Sequence, residues 1–102
     1  KKGVWVKYWS NGQLQSKDQW VEGKRDGLQI NYSDQGQVSY KVNYQKGNRE
    51  GIFESFHDNG QLAQKGKYKN GQKEGYWEVY YPSGGIIKGM TGTYKNGEKI
   101  SD

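Results

Sequence analysis

The side chains of this sequence that are best suited to binding a partner are lysines and aromatic residues at recurring positions. Lys17, Lys41 and Lys65 follow one another at intervals of 24 residues. Ammonium groups attract acidic partners, and Trp and Tyr are enriched at the energetic centres of interfaces. Seven side chains are therefore predicted to form a binding surface: Trp5, Trp9, Trp77, Tyr81, Lys17, Lys41 and Lys65.

The sequence does not predict catalysis. It has no Cys, and its one histidine, His57, cannot anchor a typical zinc site. Three regularly placed acids, Asp26, Glu50 and Glu74, each precede a glycine, as expected of turn residues. We therefore expect no enzyme, no cofactor, no metal site and no small-molecule substrate.

An internal repeat defines the strands and turns on which these residues lie. Glycines recur every 24 residues in two series: Gly3, Gly27, Gly51 and Gly75, and Gly12, Gly36, Gly60 and Gly84. The chain thus divides into four units, 3–26, 27–50, 51–74 and 75–100, within one domain, 1–102. The fourth unit carries a two-residue insertion between Ile86 and Tyr94. A degenerate terminal unit is typical of repeat arrays, where it caps the stack.

Each unit predicts a β-hairpin. Turns are predicted at four glycine-containing pairs: Asn11-Gly12, Gln35-Gly36, Asn59-Gly60 and Ser83-Gly84. The segment Val38–Tyr44 alternates apolar and polar residues, the pattern of a half-buried strand. The predicted fold is all-β: a single extended, twisted antiparallel meander of about eight strands, built from four 24-residue hairpin repeats.

The facing of the side chains depends on the hairpin loop. A three-residue loop with a bulge places Val4, Val6 and Tyr8 on one face with Leu14 and Trp20. The other face then holds Trp5, Trp9, Phe53, His57, Trp77 and Tyr81, beside the three lysines. A two-residue turn would swap one strand of each hairpin, because facing flips with each one-residue change. The three-residue loop is favoured, because it segregates apolar residues better.

One aromatic in each unit is predicted to belong to a structural spine. An aromatic follows the opening glycine by five residues in all four units: Tyr8, Tyr32, Phe56 and Tyr80. We expect these rings to stack from unit to unit in the sheet.

Composition limits the classes of protein. Of the 30% hydrophobic residues, half are aromatic, which suits a paved sheet better than a thick core. The net charge of +5 favours acidic partners. The chain begins with Lys1 rather than Met, so we expect an excised or processed fragment, with any targeting segment lost. Bacterial cytoplasm, cell envelope and secretion all fit, and the localisation stays open.

The repeat resembles the MORN repeat, and more narrowly the bacterial variant of the YwqK-type, antitoxin-like family. The motifs Gly3-Val4-Trp5-Val6-Lys7-Tyr8 and Asn11-Gly12-Gln13-Leu14 carry the resemblance, and Asn59-Gly60-Gln61-Leu62 repeats the second. Unit two departs, with Gln29 in place of the aromatic. The resemblance implies an extended antiparallel sheet with a binding or scaffolding role.

Function is expected to be binding. The leading interpretation is a non-enzymatic protein-binding repeat module, as in a bacterial toxin-neutralising or adhesin-associated protein, whose partner is a protein such as a toxin or effector. The alternative is a module that binds the membrane surface through anionic phospholipid. Nucleic acid is the least favoured partner, because acids are interspersed through every unit.

Overall fold

In the computed structural model, which describes residues 2–102, the chain forms one antiparallel sheet. Its main strands lie side by side in chain order. The strands are β1 (Lys2–Tyr8), β2 (Leu14–Val21), β3 (Lys24–Arg25), β4 (Gly27–Tyr32), β5 (Val38–Gln45), β6 (Asn48–Phe56), β7 (Leu62–Lys69), β8 (Gln72–Val79), β9 (Gly92–Lys95) and β10 (Glu98–Ser101). The two-residue β3 pairs with β2 alone. The predicted all-β meander is confirmed, with β3 and β10 as additional short strands.

The sheet is a single layer. It measures 40 × 32 × 12 Å, so its long dimension runs across the strands.

None of the segments described is a helix long and apolar enough to cross a membrane.

The predicted turns are present, and each is a three-residue loop. In unit one, the Trp9 amide donates to Gln13 O at 2.7 Å, and the Gly12 amide donates to Trp9 O at 2.9 Å. Gly12 has a φ of 88°, in the left-handed region that glycine adopts without strain. The other three loops close with equivalent hydrogen bonds. The preference for a three-residue loop was therefore right.

The predicted facing was right for the first strand of each hairpin but wrong for Trp20 and the lysines of the second strand, because a further bulge follows the loop in units one to three. Tyr8 pairs with Leu14, but Lys7 pairs with Ser16, so Gln15 is an extra residue. The same slip occurs in units two and three, at Ser39 and Ala63. A one-residue slip moves every later side chain to the opposite face.

The bulges create two unlike faces. The core face carries Trp5, which pairs with Asp18, and continues through Val42 and Phe53 to Trp77. The outer face carries Lys17, which pairs with Val6 and with Ile30 on the next strand. Lys17 and Trp5 therefore lie on opposite sides of the sheet.

An aromatic cluster on the core face forms the hydrophobic core. Val42 and Trp77 are fully buried, and Tyr68 and Tyr94 are nearly so. Ring centroids lie 5.0 Å apart for Tyr68–Trp77 and 5.8 Å apart for Phe53–Trp77. Edge-on and tilted contacts at these distances add to the hydrophobic gain. The core is therefore concentrated in units three and four.

This cluster replaces the predicted spine of Tyr8, Tyr32, Phe56 and Tyr80. Tyr8 is 62% exposed, and the Tyr80 hydroxyl donates to the Glu78 carboxylate. Each of these residues follows the core-face residue of its own strand by three positions, as Phe56 follows Phe53, so it faces the outer side and the expected stack does not form the core.

The acids that precede the repeat glycines join successive units. Carboxylate oxygens of Asp26 and Glu50 accept from the amides of Lys46 and Asn70, at 3.2 and 2.9 Å. The turns that donate these amide hydrogen bonds have positive φ values at Lys46 and Asn70. Each acid thus caps the turn of the next unit, consistent with its predicted place in a turn.

On the opposite edge, asparagine side chains join two pairs of loops. Asn59 Nδ2 donates to Pro82 O at 2.8 Å, and its Oδ1 accepts from the Gln61 amide at 2.9 Å. Asn11 makes the equivalent bonds to Asp34 and Gln13.

Replacing Asn59 with Ala is expected to lower the unfolding free energy by about 1 kcal/mol, because two hydrogen bonds at an exposed site are lost. Urea unfolding followed by circular dichroism measures the change. Gln35→Ala, at the same position of unit two, is the control and should change stability by less than about 0.5 kcal/mol. Equal effects of the two substitutions would contradict this role of Asn59.

Candidate binding face

The three predicted lysines lie together, but not beside the predicted aromatics. Lys41 pairs with Ile30 and Glu54, and Lys65 pairs with Glu54 and Glu78. With Lys17 they form one row across the outer face. The row alternates with acids in units three and four, so its charge is largely balanced there. The expectation of lysines interleaved with core-side aromatics was wrong, since the bulges separate them.

Trp9 and its equivalents connect loops. Trp9 is partly buried, and its Nε1 donates to Tyr32 O at 3.2 Å. His57, at the same unit position, places Nε2 2.8 Å from Tyr80 O. Tyr81, at the same position of unit four, is 53% exposed in its loop. Trp9 therefore has a structural contact that its sequence position did not reveal, and Tyr81 stays a candidate for partner contact.

Trp5 and Trp77 have opposite environments, although they occupy the same unit position. Trp77 is 0% exposed, and its Nε1 donates to Lys67 O at 3.1 Å. A side chain so placed cannot contact a partner while the sheet is folded, so its assignment to the binding surface is corrected. Trp5 is 64% exposed and lines a cavity of about 720 Å³ together with Trp20 and Asp18.

The cations that do accompany the aromatic rings are Arg25, Arg49 and Lys73. Arg25 Cζ lies 5.2 Å from the Trp20 ring centroid and 5.5 Å from that of Tyr44. Arg49 Cζ lies 5.2 Å from the Tyr68 ring. Such cation–π contacts are worth about 0.5–2 kcal/mol, more where the cation is partly desolvated.

Lys73, at the end of unit three, continues the series. Its Nζ lies 4.7 Å from the Trp77 ring centroid and 5.0 Å from that of Tyr94. Rings and cations thus alternate across the core face, one cation per unit. We call this set the cation ladder: Trp20, Arg25, Tyr44, Arg49, Tyr68, Lys73 and Tyr94.

Further contacts fix the cations of the ladder. Arg49 Nη1 donates to the Tyr68 hydroxyl at 3.2 Å, and a hydrogen bond with Tyr44 raises the pKa of the Arg49 guanidinium. Burial lowers the pKa of Lys73, because partial desolvation disfavours its charged form. Arg25 Nε approaches the Asp18 carboxylate at 3.8 Å, and Asp18 is only 6% exposed.

The core face is strongly cationic. Within residues 2–102, the strand pairing places five cations on it: Lys7, Arg25, Arg49, Lys73 and Lys99. The one carboxylate paired into the same face over that range is Asp18, which is buried beside Arg25. The Lys99 ammonium is engaged by Asp102 at 2.8 Å. Lys7 and the three ladder cations therefore supply the rest of the positive charge that the strand pairing places on this face.

The sequence did contain a signal for the ladder. Arg25, Arg49 and Lys73 recur every 24 residues, each two positions before a repeat glycine. They lie beside the acids Asp26, Glu50 and Glu74, which were assigned to turns, and the cations themselves were not predicted to bind. Only the register shows that each lies over the rings of its neighbours.

No group of three or more metal-ligating side chains is found in the part of the chain described.

Comparison with protein families agrees with the repeat. The family described as a MORN repeat variant matches residues 1–22, 25–46 and 49–70. The matches begin at Lys1, Arg25 and Arg49, which are 24 residues apart. Two of these residues, Arg25 and Arg49, are ladder cations. Comparison with curated proteins gave no match.

Proposed function

Since the chain belongs to the MORN repeat variant family, whose repeats commonly bind proteins or membranes, we propose that it is a protein-binding module that holds an acidic partner against its core face. The family is generally non-catalytic, and the proposal includes no reaction.

The observation that carries this proposal is the cation ladder. Its positive groups are fixed by rings on one side of a single-layer sheet, opposite a face where lysines alternate with acids. Cations fixed before binding lose little side-chain freedom on binding, which favours affinity. A partner with exposed carboxylates would complement this face, and complementary charge directs both orientation and association rate.

We extend the proposal to the kind of partner. The bacterial repeat variant that the sequence resembles is linked to toxin neutralisation and to protein assembly, so a toxin or an adhesin component is the first partner to test. In a toxin-neutralising complex, the acidic segment of the toxin would lie on the ladder.

The proposal is tested by titrating the protein with poly-glutamate at low salt in a biolayer interferometry experiment. Arg49→Gln is expected to weaken binding about three- to tenfold, because one charge-assisted hydrogen bond is lost at a partly exposed site. Lys17→Gln removes the same charge from the outer face and should leave the affinity nearly unchanged. Equal losses would mean that binding follows net charge alone, and would contradict the proposal.

Two parallel measurements separate the other anionic partners. The protein is mixed with vesicles containing phosphatidylserine, and with a single-stranded oligonucleotide. Ladder-dependent binding to the vesicles without binding to poly-glutamate would overturn the proposal in favour of a membrane-surface module. Ladder-dependent binding to the oligonucleotide alone would overturn it in favour of nucleic acid.

A further inference from the structure

The three cations of the ladder are spaced by the repeat itself. Arg25 precedes β4, Arg49 lies on β6 and Lys73 lies on β8, so successive cations are one unit apart. One unit contributes two strand spacings of about 4.8 Å, which separates equivalent positions by about 9.6 Å. A ligand that reaches all three cations needs anionic groups with this period along one side.

Regular peptide conformations differ in how well they supply that period. A polyproline II helix repeats every three residues and advances about 9.3 Å, with every third side chain on the same side. An α-helix returns to nearly the same side after seven residues and about 10.5 Å. In a β-strand, residues two apart share a face at about 6.7 Å, and residues three apart point to opposite faces.

The difference accumulates along the ladder. Over two units, the polyproline II period departs from the ladder by about 0.6 Å, and the α-helical period departs by about 1.8 Å. Arg25 contacts the Trp20 and Tyr44 rings, and Arg49 donates to the Tyr68 hydroxyl, so a movement of either group to correct a mismatch would break these contacts. A charge-assisted hydrogen bond spans only about 2.7–2.9 Å, so the smaller departure decides in favour of polyproline II.

We propose that the core face binds a polyproline II segment that carries one carboxylate every third residue and runs across the strands. This proposal rests on the proposed function and specifies its partner. Three successive carboxylates accept from Arg25, Arg49 and Lys73. The partly exposed rings of Trp20 and Tyr44 flank Arg25 and provide the aromatic surface on which such helices dock.

The test compares two synthetic peptides of identical composition and charge. One repeats Glu-Pro-Pro four times, and the other has its four Glu in one block followed by eight Pro. Both are titrated into the whole 102-residue chain by isothermal calorimetry. The periodic peptide is expected to bind about tenfold more tightly, because the block peptide reaches at most two of the three cations.

The outcomes separate this inference from the proposed function. Equal affinities that both fall in Arg49→Gln, but not in Lys17→Gln, would overturn the spacing and leave the acidic partner intact. Binding of neither peptide while poly-glutamate still binds would overturn this inference alone, and equal loss in both variants would overturn both proposals. Tighter binding by a helical peptide with Glu every seventh residue would overturn the polyproline II conformation. A periodic-peptide preference that disappears in Arg49→Gln and persists in Lys17→Gln would support the inference.

Discussion

Replacing Trp77 with Ala is expected to lower the unfolding free energy by about 3–5 kcal/mol, as is typical for loss of a buried Trp. The ring is fully buried, contacts Phe53, Tyr68 and Tyr94, and donates to the Lys67 carbonyl. Its removal opens a cavity at the centre of the cluster and leaves that carbonyl without its indole donor. Urea unfolding followed by far-ultraviolet circular dichroism measures the loss.

Trp5→Ala is the matched control, because Trp5 occupies the same unit position and is mostly exposed. It should cost less than about 1 kcal/mol. If Trp77→Ala does not fold, Trp77→Phe supplies the measurement and should still cost more than Trp5→Phe. Equal costs at the two positions would contradict the placement of the core in units three and four.

Gly66→Ala is expected to destabilise the sheet by about 3 kcal/mol, at the upper end of typical overpacking effects. A Cβ at Gly66 would lie 2.0 Å from Trp77 Cδ2 and 2.3 Å from Cε2, so the indole must leave its site. The clash involves a buried ring and not a flexible side-chain end. Thermal and urea unfolding both measure the change.

A control and a double variant identify the cause. Gly89→Ala introduces the same methyl group where nothing lies within 4 Å and should be nearly neutral. In a Trp77→Ala background, Gly66→Ala should lose most of its cost, since the clashing ring is gone. Additive costs of the two substitutions would show that Gly66 matters for a reason other than the Trp77 ring.

The repeat and its turns could be predicted because glycine marks them directly. Gly12 and its equivalents supply the left-handed backbone that the three-residue loops require, and the 24-residue period fixes their number. The facing could not be predicted, because the bulge residues Gln15, Ser39 and Ala63 share no chemical character. A bulge is a property of the backbone pairing, and a single extra residue exchanges the two faces.

The prediction of the binding residues was wrong for the same reason. Because the faces were exchanged along the second strand of each hairpin, Lys17, Lys41 and Lys65 were expected beside the aromatics, and the ladder cations were not predicted to bind. The burial of Trp77 was hidden for a related reason. Gly66 is not one of the repeat glycines, and only the register shows that it makes room for this ring. Periodicity identifies which residues are equivalent, and pairing decides what they contact.

In the proposed function, an acidic partner binds the core face and not the outer face. The most direct measurement is side-chain nuclear magnetic resonance of the arginine and lysine groups during titration with poly-glutamate. We expect the signals of the three ladder cations, Arg25, Arg49 and Lys73, to shift together and saturate. The signals of the outer-face lysines, Lys17, Lys41 and Lys65, should change little. Saturating shifts confined to the three outer-face lysines would contradict the proposed function.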